Sequence, residues 1–473
     1  MFFAGVEFLF WFFPAVLVFN LALSYFKRAQ NICLLFFSLL FYAWGQLVFV
    51  GVLIVGITIN MVIGIKISDN AKSRKTAKTY LLLGIIFHVL VLFAFVYLNP
   101  MISYIGNIIG ISPIGFMQII PLMGLGFFTL RAISYITDIY NDEIKPEFNP
   151  INLGLYFCFF PLASMGPIMR YADLKEQFNK RGFCPDRLSD GVSRFVIGLF
   201  KIVFVAVPLH TVSYHIFNLS AMSTFYTNIP ITMAWLGVIT FALQVYYVLS
   251  SYADMSIGLC KMFGFGIKEN FNYPYASRSI NEFWKKWHIT MIDWFRRYIE
   301  KPLAKKYPDK IIFVLLLMWV LIGIWHGAGF SPIRFALWHF TFFSVENIID
   351  FERRKIPKFA KHVYFLLVML IGWVLFGTAN WYHSIQYLGN MFGIRHNGFL
   401  SDIAAMFVRE YWLELFLALL LATPFARWLK TLASRLPRVP RFALNICYPI
   451  VYTAMLIISI VYIVSGRNLM YVI

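Results

Sequence analysis

IIFVLLLMWVLIGIWHGAG, residues 311–329, runs through fifteen residues without a polar side chain before it reaches its first ionisable group, His326. Backbone that meets lipid must satisfy its own hydrogen bonds, and a single segment does so only as a helix. With about 20 apolar residues needed to cross a bilayer, residues 311–328 read as one span. Eleven further stretches have the same character: 5–26, 31–44, 47–65, 79–98, 119–137, 188–215, 229–248, 332–349, 363–381, 409–426 and 442–465. No repeated ten-residue alternation suggests a barrel. The expected fold is therefore all-α: a polytopic integral membrane protein with about 11–12 transmembrane helices, joined by re-entrant and amphipathic helices. Composition agrees, since 60% of the 473 residues are hydrophobic and only 13% charged, against about a quarter charged in soluble domains. Secreted, fibrous, disordered and peripheral classes are excluded.

The net charge of +19 (41 Lys and Arg against 22 Asp and Glu) is explained by where the bases lie. Lys66, Lys72, Arg74, Lys75 and Lys78 crowd one interspan segment, and Arg427, Lys430, Arg435, Arg438 and Arg441 another. Such segments face the cytoplasm and anionic headgroups, so no nucleic-acid partner is expected. Loops 27–30, 66–78, 170–187, 268–310, 351–361 and 427–441 form the basic set, while 99–118 and 216–228 carry no charge. Alternating the two sets puts both termini outside, provided that 151–169, broken by Pro161 and Gly166-Pro167, enters and leaves on one side as a re-entrant segment. Glu7 without a basic n-region, followed by Lys27-Arg28, reads as a retained first span. No internal repeat is visible, so residues 1–473 are expected to form one membrane-embedded domain, which counts against a two-half carrier. The five cysteines have no metal-ligand or redox spacing; four lie in apolar runs, where they read as packing residues or as sites of acylation. No metal site is expected.

The least membrane-like stretch, 268–310, holds the densest chemistry. Ser279 caps a helix from Ile280, with Glu282 as capping-box partner. Phe283, Trp284, Trp287, Met291, Trp294, Phe295 and Tyr298 recur at spacings of three and four, away from Lys285, Lys286, Arg296 and Arg297. By itself this predicts an amphipathic helix at the headgroups. His326 in the following span reads either as functional or as an imidazole satisfied by a neighbouring carbonyl; His339, in the next helix, has the same two readings without flanking glycines.

Several ordered motifs now coincide. They are Ser38-Leu-Leu-Phe-Tyr42-Ala-Trp44-Gly, the run Pro121–Tyr140 with Gly124, Phe127, Thr129, Ser134, Tyr135 and Asp138, and Phe159-Phe-Pro161 through Gly166-Pro167-Ile168-Met-Arg170-Tyr171. Ser251-Tyr252-Ala-Asp254-Met255-Ser-Ile-Gly258, the stretch Asn270–Phe295 and Gly323-Ile-Trp325-His326-Gly327-Ala328 complete the set. Together they resemble the membrane-bound O-acyltransferase superfamily, and within it the bacterial branch that O-acetylates alginate, peptidoglycan and cellulose. The chain departs from that branch at Tyr247–Tyr252, where an acid and a glycine are missing, and at Arg296–Lys305.

The resemblance implies an O-acyltransferase of the bacterial cytoplasmic membrane with His326 and His288 as its catalytic histidines. It implies no bound cofactor, and a donor that is acetyl-CoA or another acyl thioester. A neutral imidazole suffices to take the acceptor hydroxyl's proton. Since the donor is cytoplasmic and the polysaccharide extracytoplasmic, a tunnel is expected, lined by Trp284, Trp287, Trp325 and Gly327, with Arg278, Lys285 and Lys286 at the donor mouth and Asp254 and Tyr252 nearby. The chain has no Gly-x-Ser-x-Gly elbow, P-loop or metal-ligand cluster, so a separate secreted or periplasmic hydrolase-like acetyltransferase is the implied partner. The alternatives are D-alanyl transfer toward teichoic acid, a polysaccharide or lipid transporter, and an inactive scaffold.

Overall fold

A computed structural model describes residues 2–109, 122, 124–163, 165–221, 229–435 and 438–465, and every regular element among them is helical. Each expected span has helix at its centre. Among the described residues seven helices are long and apolar enough to cross a membrane alone: Leu47–Asp69, Arg74–Gly106, Pro185–Asn218, Ile231–Met262, Pro308–Trp325, Lys358–Gly377 and Cys447–Val464. The chain is thus a multi-pass membrane protein. Other expected spans form helices that are shorter or more polar: Phe13–Ala22, Lys27–Gly45, Leu125–Tyr140 with buried Arg131 and Asp138, and Phe330–Ile348 with buried His339 and Glu346.

Two details differ from expectation. The stretch 409–426 is not one straight span, because Trp412–Leu421 and Phe425–Ser434 meet at 69°. Pro424 between them lacks the N–H that a continuing helix needs. The uncharged stretch 99–118 begins as helix Leu98–Ile109, since Pro100 falls in its first turn, where no helical hydrogen bond is lost; residues 110–118 lie outside the described residues. The broken stretch 151–169 has a helix Pro150–Cys158, capped by Asn149 Oδ1 accepting from Ile151 N–H, then a single tight turn Phe160–Leu162. Its side chains from Asn152 to Leu162 are buried in protein.

The chain divides into two compact units. The first comprises Met1–Phe195 with Met255–Glu269. Its helices approach closely because glycines sit at the crossings: a Cβ on Gly56 would come within 2.7 Å of Phe128 Cζ, and one on Gly84 within 2.7 Å of Ile136 Cδ1. Phe8, Phe12, Phe41 and Phe160 form a ring cluster, with Phe12 edge-on to Phe160 at 5.3 Å. Several buried polar groups pair across helices, as the interior favours. Ser38 Oγ accepts from Phe160 N–H at 3.2 Å, Asn31 Nδ2 donates to Asn152 Oδ1 at 3.1 Å, and Arg131 Nη1 donates to the Tyr156 carbonyl at 3.2 Å. Several of the motif residues therefore bind helix to helix. The second unit, Val196–Asp254 with Asn270–Ile473, contains every residue assigned to the site from the sequence.

Candidate functional site

Asn270 is fully buried, and three hydrogen bonds run to it from just beyond His288. Its carbonyl accepts from Ile289 N–H at 2.9 Å, and its Oδ1 accepts from Thr290 N–H at 3.1 Å and Thr290 Oγ1–H at 2.9 Å. On the other side, Asn272 N–H donates to the Lys286 carbonyl at 3.0 Å. Held at both ends, His288 adopts φ 45° and ψ 49°, a left-handed conformation that costs a side chain-bearing residue about 1–2 kcal/mol. The expected continuous helix over 280–298 is consequently two helices, Ile280–Trp284 and Ile289–Phe295, with His288 at the break.

Both pieces pack their aromatic face into protein and leave Lys285 and Asp293 exposed. Phe283, Trp284, Trp287, Met291, Trp294 and Phe295 are all buried. Ser279 Oγ accepts from Glu282 N–H at 2.9 Å as expected, but the Glu282 carboxylate accepts from Arg278 N–H at 2.8 Å, so the capping box is shifted by one residue. The stronger support for this helix start is remote. Buried Glu346, on Phe330–Ile348, accepts from Ile280 N–H at 2.7 Å, Asn281 N–H at 2.9 Å and Asn281 Nδ2 at 2.8 Å. A carboxylate there meets the positive end of the helix dipole and satisfies two otherwise orphaned donors.

His326 is the C-cap of Ile311–Trp325, so it stands at the helix end and not within its interior. Gly327 takes φ +146° and leads into the next helix at Phe330, which is why the run stops there. Gly323, one turn earlier, lets the two helices meet closely, since a Cβ on it would lie 3.0 Å from Ile333 Cα. The Trp325 indole meets both histidines edge-on, His288 at 6.3 Å and His326 at 5.0 Å between ring centroids. His326 also meets Phe376 edge-on at 6.4 Å, yet remains exposed on its open side. His288 is buried, with Phe271 at 5.9 Å. Burial pushes the His288 imidazole down to about 3, so it is neutral at physiological pH. The pair thus offers one sequestered neutral imidazole and one accessible imidazole, both in contact with a single indole.

The other site residues divide. Trp287 packs among Phe283, Trp373 and Phe271 at 5.2, 5.5 and 5.3 Å, on the same side of the segment as His288. Trp284 turns instead to Trp319 and His339, at 4.9 and 5.4 Å. Lys285 and Lys286 pair with Glu352 at 3.3 Å and Glu282 at 2.6 Å, so their charges are partly committed within the protein. Arg278 is exposed; Asp254 pairs with Lys201 at 2.6 Å, and Tyr252 is buried. A Cβ added at Gly327 would meet nothing within 4 Å, so the space beside His326 is open. His339 has its Nδ1 donating to the Phe335 carbonyl at 2.8 Å and its Nε2 3.2 Å from Met369 Sδ, and Gly372 makes room for it. That is a packing histidine.

Among the described residues no three His, Cys, Asp or Glu side chains gather as a metal site would require. Asn270 and Glu346 were missed as site residues by the sequence reading. A carboxylate inside the expected span 332–349 was the available signal for Glu346; Asn270 opens one of the motif stretches, but its role depends on the turn that it holds.

The chain matches the model of the MBOAT, membrane-bound O-acyltransferase family over residues 141–388, a range that includes both histidines. It is 34% identical to the probable alginate O-acetylase of Pseudomonas syringae pv. tomato over 401 residues, covering 83% of this chain and 75% of the relative. Similarity to the probable alginate O-acetylase of Pseudomonas aeruginosa is also 34%, over 80% of this chain and 72% of that protein. The peptidoglycan O-acetyltransferase of Helicobacter pylori is 27% identical over 76% of this chain and 72% of its own length.

Proposed function

The chain belongs to the membrane-bound O-acyltransferase family and is a membrane acyltransferase, and we propose that it carries an acetyl group from a cytoplasmic thioester toward an extracytoplasmic polysaccharide. The observation that carries this reading is the edge-on contact of Trp325 with both a buried His288 and an accessible His326. In the proposed reaction the acceptor hydroxyl oxygen bonds to the acyl carbon, its proton passes to His326, and the carbon–sulfur bond breaks to release a thiolate. A thiolate leaves with little acid assistance, so one neutral imidazole is enough. His288, fixed by Asn270 and kept neutral, orients the reacting groups through its ring.

The donor is proposed to be acetyl-CoA or another acyl thioester, reached through a path along Trp287 and Trp325 with Gly327 at its open end. Trp284, Lys285, Lys286 and Arg278 would shape its cytoplasmic mouth, and Tyr252 and Asp254 its wall. The protein would act as one domain in the bacterial cytoplasmic membrane, handing the acetyl group to a secreted or periplasmic hydrolase-like acetyltransferase. Similarity to alginate and peptidoglycan O-acetylating proteins supports acetyl over D-alanyl transfer.

Deletion of the gene in its native bacterium tests the reading. Loss of O-acetyl esters from the extracellular or cell-wall polysaccharide, with polymer yield retained, is expected. Loss of the polymer itself would indicate a transporter, and loss of D-alanyl esters would indicate teichoic-acid chemistry; either overturns the proposal.

A further inference from the structure

Arg334 places a guanidinium in the expected span 332–349, and a cation at that place in an apolar helix marks a functional candidate. It lies in the second unit with both histidines, is half-buried, and pairs with no carboxylate among the described residues. Its partners are neutral oxygens. Nη2 donates to the Thr378 carbonyl at 2.6 Å and to Ser331 Oγ at 3.1 Å, and Nη1 donates to Ser384 Oγ at 3.1 Å. Hydrogen bonds from an ionised donor are the strong kind. Ser331 Oγ–H donates to the same Thr378 carbonyl at 3.0 Å, and Thr378 Oγ1 and Ser384 Oγ are hydrogen-bonded at 2.7 Å. One guanidinium thus closes a corner between the start of Phe330–Ile348 and the end of Lys358–Gly377, whose C-cap is Thr378. A cation there meets the last carbonyls of the helix and the negative end of its dipole.

The corner borders His326. That imidazole makes no hydrogen bond among the described residues and rests on rings, Trp325 at 5.0 Å and Phe376 at 6.4 Å. Trp325 is its neighbour in the chain, whereas Phe376 belongs to Lys358–Gly377 and stands two residues before Thr378. Phe376 in turn meets Phe335, the residue after Arg334, edge-on at 5.4 Å. On the chain side, His326 leads into Phe330–Ile348 through Gly327-Ala328-Gly329, and a Cβ on Gly327 would meet nothing within 4 Å. Packing at Gly327 therefore does not hold the link. The tether at Ser331 and Arg334 fixes its far end to the same corner that carries Phe376.

We propose that Arg334 is a positioning residue for the acyl transfer: it fixes the link after His326 against the Phe376 wall and so sets where the imidazole stands. The inference rests on His326 as the base of the proposed reaction. Proton transfer requires heavy atoms about 3 Å apart, and a misplacement of about 1 Å costs about a hundredfold in rate. Loss of the three bonds at the corner thus reaches the chemistry although Arg334 touches no reacting atom.

Arg334→Met, Arg334→Lys and Ser384→Ala test this in the full-length protein. Arg334→Met leaves Ser331 as donor to the Thr378 carbonyl, so the corner keeps one bond. At matched membrane levels it is expected to lower the acetyl content of the extracellular polysaccharide about tenfold or more. Arg334→Lys keeps the charge without the planar fork and recovers part of the loss; Ser384→Ala, which removes a single acceptor, loses least. The second readout is the nitrogen-15 histidine spectrum in detergent. The signal that vanishes in His326→Gln is expected to shift or broaden in Arg334→Met. The signal that vanishes in His339→Gln, on the same helix and 4.2 Å from the Phe335 ring, is expected to stay in place. If Arg334→Met does not accumulate, Ser384→Ala carries the same spectral test. Unchanged acetylation in Arg334→Met overturns the proposal. So does an unmoved His326 signal, and so does equal movement of both signals, which would mean a general loosening of the helix. If the wild-type protein transfers no acetyl group, the proposed function falls, and the His326 signal still decides whether Arg334 positions that ring.

Discussion

Asn270 holds the left-handed turn at His288 through one carbonyl and one carboxamide oxygen. Replacing it with Ala removes the acceptor of Thr290 N–H inside the protein, which should cost about 1–3 kcal/mol and let residue 288 relax toward a helical conformation. Asn270→Ala is therefore expected to lose transfer activity more than it loses thermal stability in detergent; an active, equally stable variant would show that the turn needs no clamp. The charge state of His288 is open to direct measurement. Because burial pushes its imidazole down to about 3, the nitrogen-15 histidine signal that vanishes in His288→Gln should remain that of a neutral ring from about pH 8 to about pH 5. The sign is that of a base disfavoured by desolvation: protonation is resisted as pH falls through the ordinary value near 6.5, and a transition there would contradict the assignment. At this scale His326 was legible, because an imidazole beside Gly327 after fifteen apolar residues stands out. Its place at the helix end was not, since only the positive φ of Gly327 reveals where the helix stops.

Among the elements, the short helix Ile280–Trp284 depends on a carboxylate sixty-odd residues away. Glu346→Ala removes the acceptor of two backbone donors and should destabilise the protein by about 2–4 kcal/mol, seen as a lower melting point and less protein in the membrane. Glu346→Gln keeps one acceptor oxygen and should recover part of that loss; equal behaviour of Ala and Gln would show that the helix start does not rely on Glu346. The sequence between 280 and 298 carried the correct local signal, a helical spacing of aromatic residues, and still misled about the whole. Periodicity continues through His288, whereas the helix does not, because contacts with 270–272 override local preference. The same segment reads as amphipathic because Lys285 and Lys286 alternate with tryptophans. Their partners explain the discrepancy: Glu282 is a helix neighbour visible in sequence, but Glu352 comes from a distant part of the chain.

For the whole molecule, hydropathy placed helix at the centre of each expected span, since burial in lipid is written into composition over about 20 residues at a time, although among the described residues seven helices are long and apolar enough to cross a membrane alone. Bends such as that between Trp412–Leu421 and Phe425–Ser434 are less visible, although Pro424 marks this one. The charge pattern adds a direction that helices by themselves do not contain. Single cysteines placed at residue 72 and residue 104, in a cysteine-free background, should react differently with an impermeant maleimide in intact cells: residue 104 labelled, residue 72 protected. Labelling of residue 72 would invert the assignment and remove the need for a path from cytoplasmic donor to external acceptor. The central claim concerns His326 as the base, and His339, with its Nδ1 bonded to the Phe335 carbonyl, supplies the control. The measurement is the acetyl content of the extracellular polysaccharide at matched membrane levels of wild-type, His326→Gln and His339→Gln protein. His326→Gln is expected to lower transfer by about two to four orders of magnitude, the usual worth of general-base catalysis, while His339→Gln stays near normal; near-normal acetylation in His326→Gln would contradict the assignment of the base.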